Sequence, residues 1–451
     1  MLEKGKKYEC EIVDIGKGGV GIGKHNGFTV FVDGALLGET VDVKITKSKK
    51  KYAEGVISKV KKKSIYRVDR LCSNKYINCG GCQTQELDYQ KQLEIKTSQV
   101  REDIKRIGGL EGIKVHDTLG MDIPFRFRNK AQFPVQRVDG KLKIGFYKKK
   151  SHDIIDIDKC VIQHDKNDII IEIIRDFIES NNISVYDEKT GRGLIRHIVT
   201  KVGYTTNEVM VILVSTSENI PEMDKLVNEL KSKVEGFKTL VININTKKTN
   251  VVMGYKNINI YGNGKIIDYI GKLKFEISPL SFFQVNPTQT EVLYNKALEY
   301  ADLKRGDKVF DIYCGIGTIS LFLAQKADIV YGVEIVEDAI KDAKINAELN
   351  KLKNTEFFVG KAEEVVPKLY KEGVSANVVV VDPPRKGCEE EVLDTIVKMN
   401  PDRVVYVSCN PSTLARDLKY LDERGYKCSE IQPVDMFPHS VHVESVAVLT
   451  K

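Results

Sequence analysis

Residues 309–324 read VFDIYCGIGTISLFLA, and the order of residues in this stretch decides the fold. An apolar run passes through Gly315-Ile316-Gly317 into a second apolar stretch, which reads as a buried strand, a tight turn and a helix. Glycine allows the backbone to turn sharply there and lets a ligand approach at the C-terminal end of the strand. The alternation recurs downstream in IVYGVEI (329–335), TEFFVG (355–360), NVVVVDPP (377–384) and RVVYVSCN (403–410), each followed by helical spacing. A final pair of strands ends the chain. Strands alternating with helices specify an α/β architecture with a doubly wound parallel sheet, assigned to residues 276–451.

Working outward, residues 1–59 alternate apolar and polar residues between glycine turns and predict four or five short strands, a small barrel of the OB type. Residues 60–92 form a cysteine-bearing segment that joins residues 125–275 in a central α+β domain, mostly strands with helices near 165–180 and 221–234. Between them, residues 88–107 carry helical spacing with a stop at Gly108 and Gly109, and segment 93–124 is expected to pack on the C-terminal domain.

The chain has 451 residues and a formal charge of +7, unevenly placed. Lys44, Lys47, Lys49, Lys50, Lys51, Lys59, Lys61, Lys62 and Lys63 crowd one stretch, and Lys148, Lys149 and Lys150 follow Phe146 and Tyr147. Lysines interleaved with aromatic rings suit a polyanion whose bases can stack, although a solvated basic face would read the same. MLEKGKKYEC contains no apolar segment of signal-peptide length, and no run reaches the ~18 residues of a membrane span. A cytoplasmic protein is expected, with reduced thiols, so its nine cysteines call for a metal, a nucleophile or burial.

Four groups at strand ends carry candidate chemistry. Glu334 closes the second strand at the spacing of a carboxylate that takes ribose hydroxyls. The turn lacks the third glycine of dinucleotide sites, so a nucleoside-type cofactor such as S-adenosylmethionine fits better than NAD. Asp382 emerges from a strand of four valines into the stiff Pro383-Pro384 turn, beside cofactor and substrate. Cys409 ends another buried strand just before a helix, whose N-terminus is expected to favour a thiolate. In MFPHSVHVESVAVL, Glu444 is a candidate general base, with His439 and His442 nearby.

The set FFQVN, DIYCGIG, GVE, DPPRKG, VSCNPSTLARD and FPHSVHVE resembles the RNA uracil-5-methyltransferase family, whose members methylate uridine in 23S ribosomal RNA or transfer RNA. The resemblance covers the whole C-terminal domain in order and is nearest to the ribosomal branch, which carries an N-terminal TRAM barrel. It implies a Rossmann-like class I methyltransferase domain and S-adenosylmethionine contacts from Gln284, Tyr313, Glu334 and Asp382. It also implies Cys409 as nucleophile towards uracil C6 and Glu444 as base. Thr318 departs from the usual Asn, and PHSVHVE differs slightly from the commonest last motif.

Cys72, Cys79 and Cys82 in CSNKYINCGGC, with the distant Cys160, offer four thiolates for a tetrahedral zinc or a cubane cluster. The resemblance favours a structural four-iron four-sulfur cluster, with six residues between Cys72 and Cys79 where many relatives have five. Cys10, Cys314, Cys388 and Cys428 read as packing thiols. Amino-group methylation is disfavoured because Arg385, not an aromatic residue, follows the prolines. Cytosine-C5 methylation uses the same thiol chemistry with other motifs. A non-catalytic RNA-binding or chaperone module would be expected to have lost Glu334, Cys409 or Glu444, and all are present. RNA is the expected partner, with no membrane, no obligate protein partner and a monomer by default.

Overall fold

The computed structural model describes residues 2–16, 18–73, 76, 78–149 and 151–451; Lys150 of the second lysine cluster lies outside the described residues. Strands Lys7–Gly16, Val20–His25, Phe28–Asp33, Thr40–Ser48 and Tyr52–Lys62 close into a barrel. Alternation puts Cys10, Ile12, Val30, Val32, Val41, Val43 and Ile45 inside it. The lysine-rich strands Thr40–Ser48 and Tyr52–Lys62 pair with each other, with Lys44, Lys49, Lys50, Lys51, Lys59, Lys62 and Lys63 exposed. Lys61 is neutralised by Glu9 and Asp42, and Lys47 by Glu54.

The central domain is a seven-stranded sheet flanked by helices Lys166–Ser180 and Met223–Lys233. Strand Val209–Ser215, VMVILVS, is buried on both faces. Val211 and Leu213 pack with the helices, whereas Met210, Ile212 and Val214 share a core with Leu293, Val309 and Leu321 of the C-terminal domain. Each such side chain contributes about 1.5–3 kcal/mol by leaving water, so the two domains are fused through this sheet.

The C-terminal sheet has eight strands. Thr355–Val359, Ile329–Glu334, Lys308–Ile312, Val378–Val381 and Arg403–Ser408 are parallel neighbours in that order. Glu444–Thr450 follows antiparallel, then Lys427–Val434, and Lys114–Val115 covers the far edge. The chain order reverses between Lys308–Ile312 and Val378–Val381, where ligands of such sheets bind.

Helix Tyr89–Asp103 is capped by Asp88, whose carboxylate accepts from Lys91 N, and continues as a π-helical turn, Ile104–Gly108, that sequence periodicity does not reveal. The turn packs on helix Pro411–Asp422, and a Cβ at Gly108 would stand 3.2 Å from Ala415 O, closer than a side chain ordinarily permits. This helix therefore rests on the element that follows Cys409. Among the described residues no helix is long and apolar enough to cross a membrane.

Candidate functional site

A cavity of about 640 Å³ opens at the C-terminal edge of the large sheet, at the point of strand reversal. Gln284, Tyr313, Glu334, Asp382, Cys409 and Glu444 all line it. Tyr313, Glu334, Asp382 and Cys409 arrive there because parallel strands finish on one edge. Glu444 arrives for the opposite reason: it begins an antiparallel strand. Ser408 pairs with Ser445, so the next step of the register sets Cys409 against Glu444.

The glycine turn presents open backbone. Tyr313 takes φ +72°, unusual for a residue with a side chain, and the N–H groups of Tyr313 and Cys314 both donate to Val333 O, at 2.9 and 3.0 Å. A Cβ at Gly315 would meet nothing within 4 Å on the cavity side. Glu334 accepts from Gly315 N at 3.2 Å and from Val336 N at 2.9 Å, which fixes its carboxylate and leaves lone pairs for a diol. Asn129 of the central sheet ties down the Gln284 segment: its Nδ2 donates to Gln284 O at 3.0 Å and its backbone N to Val285 O at 2.9 Å. Thr318 donates to or accepts from Tyr294 Oη at 3.0 Å, so the departure there serves packing.

Burial pushes the Glu444 carboxyl up to about 8, reinforced by the charge of Asp382 and opposed by Arg385. Asp382 is pushed up to about 7 by burial and then by Asp311, itself buried beneath the turn with one carboxyl oxygen lacking a partner among the described residues. Cys409 is pushed up to about 12 by burial, then by Glu444 and Asp382, with Arg385 pulling the other way. The helix N-terminus was expected to favour a thiolate, but desolvation and two carboxylates outweigh it. Burial and the two carboxyls therefore favour the thiol over the thiolate.

Of the two histidines near Glu444, His442 lines the cavity and His439 does not. His439 is buried, stacks on Phe125 at 4.7 Å and bonds Pro124 O through Nε2, while its backbone oxygen accepts from Gln83 and Thr84. It joins three segments instead of moving protons. The loop leading to Glu444 is further fixed by Lys96, whose Nζ bonds Asp435 Oδ1 at 2.5 Å and Phe437 O at 3.1 Å, with Tyr89 Oη donating to Asp435 Oδ2. Sequence spacing does not reveal this buried ion pair, whose partners are 339 positions apart. Arg385, Phe437 and the exposed Phe282 also line the cavity and were not singled out as site residues. Arg385, in DPPRKG, was the legible one.

Cys72, Cys79, Cys82 and Cys160 line a second cavity, of about 330 Å³, with Arg70, Arg128, Lys130 and Lys159. Gln85 Nε2 donates to Cys72 Sγ at 3.5 Å and to Cys82 Sγ at 3.9 Å, and Gly81 N to Cys79 Sγ at 3.5 Å. Burial pushes the Cys160 thiol up to about 11 and those of Cys79 and Cys82 upward. Among the described residues no three metal-ligating side chains converge on one point. All four cysteines line this one cavity. Buried Arg128 Nε and Gln163 Oε1, without partners among the described residues, also belong to residues lining this cavity.

The profile of the tRNA (uracil-5-)-methyltransferase family matches residues 88–451, and that of the TRAM domain residues 2–57. An uncharacterized RNA methyltransferase of Clostridium tetani is 50% identical over 449 residues, covering 100% of this chain and 97% of that protein. Another, from Caldanaerobacter subterraneus subsp. tengcongensis, is 51% identical over 448 residues, covering 99% and 98%. The crystal structure of the Pyrococcus abyssi tRNA (uracil-54, C5)-methyltransferase with S-adenosyl-L-homocysteine superposes with a TM-score of 0.77 at 30% identity. It covers 98% of this chain and 100% of that one.

Proposed function

The chain belongs to the tRNA (uracil-5-)-methyltransferase family, an S-adenosylmethionine-dependent RNA methyltransferase with a TRAM domain, and on that premise we propose that Cys409 and Glu444 carry its chemistry. The observation that bears most weight is the strand register that sets a half-buried thiol against a buried carboxyl in one cavity. Gln284, Tyr313, Glu334 and Asp382 would hold S-adenosylmethionine, which supplies an electrophilic methyl group. Uracil C5 alone is a weak nucleophile. Cys409 first loses its thiol proton to water; when the thiolate Sγ bonds to uracil C6, the C5–C6 π electrons move towards O4 and make C5 an enolate carbon able to take the methyl. Glu444 then removes the C5 proton; the released pair restores C5=C6 and expels Sγ. Arg385, the cation that opposes the carboxylates at both Cys409 and Glu444, favours their ionised forms. The uridine must be turned out of its stack to enter a cavity at this depth.

The proposed substrate is 23S ribosomal RNA, in a cytoplasmic setting, on the likeness of the motif set to the ribosomal branch. Transfer RNA is the second reading: the Pyrococcus abyssi tRNA enzyme overlaps 98% of this chain, so its fold includes a counterpart of the barrel, and the barrel does not separate the two. Mapping 5-methyluridine in ribosomal and transfer RNA from cells with and without the gene is expected to show its loss from ribosomal RNA. Loss confined to transfer RNA would replace the substrate and leave the chemistry intact.

The finer domain limits proposed are 1–59, 60–92 with 125–275, 93–124 and 276–451. A structural four-iron four-sulfur cluster on Cys72, Cys79, Cys82 and Cys160 is proposed for the second cavity, supported by its four thiols, their N–H donors and its basic wall. Anaerobically purified protein is expected to contain about four iron and four sulfide per chain. Stoichiometric zinc without sulfide would refute the cluster.

A further inference from the structure

A smaller cavity, of about 210 Å³, adjoins the methyl-transfer cavity. Arg385, Cys409 and His442 line both, so the two meet at the proposed nucleophile. The remaining wall comes from separate parts of the chain: Gly18 of the barrel, Gln99 of helix Tyr89–Asp103, and Asn410 with the residues after it. The barrel turn is pressed against the catalytic loop, since a Cβ at Gly19 would stand 2.8 Å from Gln83 Cβ and 3.5 Å from Val441 Cγ1. At Gly18, with φ +79°, a Cβ would meet nothing within 4 Å, so the backbone borders open space.

Several polar groups around this cavity are already engaged. Asn410 caps its helix by accepting from Ser412 N at 3.2 Å, and its Nδ2 donates to Arg385 O at 3.0 Å. Ser412 Oγ donates to Asp103 Oδ2 at 2.6 Å. The nearby Arg416 is saturated by Asp417 Oδ1 at 2.7 Å and Lys386 O at 2.9 Å. By contrast, the exposed guanidinium of Arg385 and the half-buried amide of Gln99 make no hydrogen bond or ion pair among the described residues. A cation and an amide are thus left to face a ligand, and the capped helix end is not the anion site.

The chemistry of the target says what that ligand is. Cys409 attacks uracil C6, C6 is bonded to N1, and N1 carries the ribose. The sugar therefore lies beside Cys409, away from the cofactor that approaches C5, and its phosphates lead out past the residues that the two cavities share. We propose that the smaller cavity seats the nucleotide next to the target uridine, with Arg385 on the phosphate that links them and Gln99 on the polar edge of the neighbouring base. This rests on the covalent route proposed above. The volume is below the ~300 Å³ at which sites for drug-sized molecules begin, which suits one nucleotide unit and not a second cofactor. Arg385 supplies charge without reading sequence, whereas an amide such as Gln99 can both donate to and accept from a base. The enzyme so selects its uridine partly by the neighbour.

The test uses the full chain and the RNA stem-loop that carries the uridine mapped in cells, together with copies in which the nucleotide 5′ or 3′ of that uridine is abasic. Gln99→Ala is expected to raise KM for the intact RNA about fivefold, the loss of one hydrogen bond. kcat and S-adenosylmethionine affinity should stay within about twofold, the latter showing that the variant is folded. On one of the abasic RNAs the penalty should vanish, because the partner of Gln99 is already gone. Gly18→Asn, a residue that accepts the left-handed backbone, adds a side chain at the barrel wall and is expected to show a similar increase and the same relief. A methylphosphonate in place of the linking phosphate should weaken RNA binding by wild type but not by Arg385→Gln. An unchanged KM in either folded variant, a penalty that persists on both abasic RNAs or vanishes on both, or an equal methylphosphonate effect in wild type and Arg385→Gln overturns the proposal. The two failures are distinct: a wild type that methylates no RNA removes the functional reading itself, whereas an active wild type with Gln99→Ala unchanged removes only the neighbour's seat.

Discussion

Replacing Cys409 by Ala is expected to lower methyl transfer to RNA by roughly 10⁴-fold or more, the scale on which removal of a nucleophile acts. That corresponds to about 5.5 kcal/mol of lost transition-state stabilisation. Without Sγ on C6 the uracil ring keeps its C5–C6 double bond, and C5 has no charge to offer the methyl group. Binding of S-adenosylmethionine should change by no more than about twofold, because burial and two carboxylates keep this thiol protonated in the free site, so alanine removes no charge. Transfer of radiolabelled methyl to RNA and calorimetric binding of the cofactor check the two halves separately. Turnover near the wild-type rate would refute the covalent route.

Replacing Glu444 by Gln is expected to slow turnover by about 10²–10⁴-fold, the usual range for a general base, and to leave a trace that the alanine variant cannot. Addition of Cys409 and methylation of C5 still proceed, but the C5 proton stays, so Sγ cannot leave C6. A protein–RNA adduct carrying the added methyl should survive denaturing electrophoresis and appear by mass spectrometry. Rapid turnover with no adduct would assign the proton to another group, with His442 and Asp382 on the same cavity wall.

The same substitution has a stability signature with a defined sign. The Glu444 carboxyl is raised by burial from its ordinary 4.5 to about 8 in the folded protein, so the folded state holds the proton more tightly than the unfolded chain. The contribution of this group is fully present below pH 4.5 and is lost as pH rises through about 8. Glutamine keeps the neutral form at every pH. The Glu444→Gln protein should therefore melt higher than wild type at pH 9, with the difference closing towards pH 5, as read by calorimetry in both buffers. A gap that widens on acidification would mean that Glu444 is held as a carboxylate.

Much of the site was legible because strand ends are legible. A run such as NVVVVDPPRKG announces a buried strand by its β-branched residues and its termination by the prolines, so the sequence alone puts Asp382 on the C-terminal edge. The same local logic put Tyr313, Glu334 and Cys409 on that edge. Glu444 was a candidate from its motif alone. That it faces Cys409 follows from the antiparallel pairing of Ser408 with Ser445, a register set between strands and not within one.

Residue periodicity and turn chemistry are properties of neighbours in the chain, and they sufficed for the α/β class and the barrel, whereas the candidate nucleophile and base rest on the likeness of their motifs to the family. Contacts across hundreds of positions are not written in any local pattern: the Lys96–Asp435 ion pair, the use of His439 as a brace, and the sheet that serves two cores through alternate faces of Val209–Ser215. Neither is desolvation, which depends on everything packed around a group and here reversed the expected state of the Cys409 thiol. Folding alone brings a half-buried sulfur, two carboxyls and an arginine into one enclosure, and the free energy of each charge there is a property of the enclosure and not of the residue.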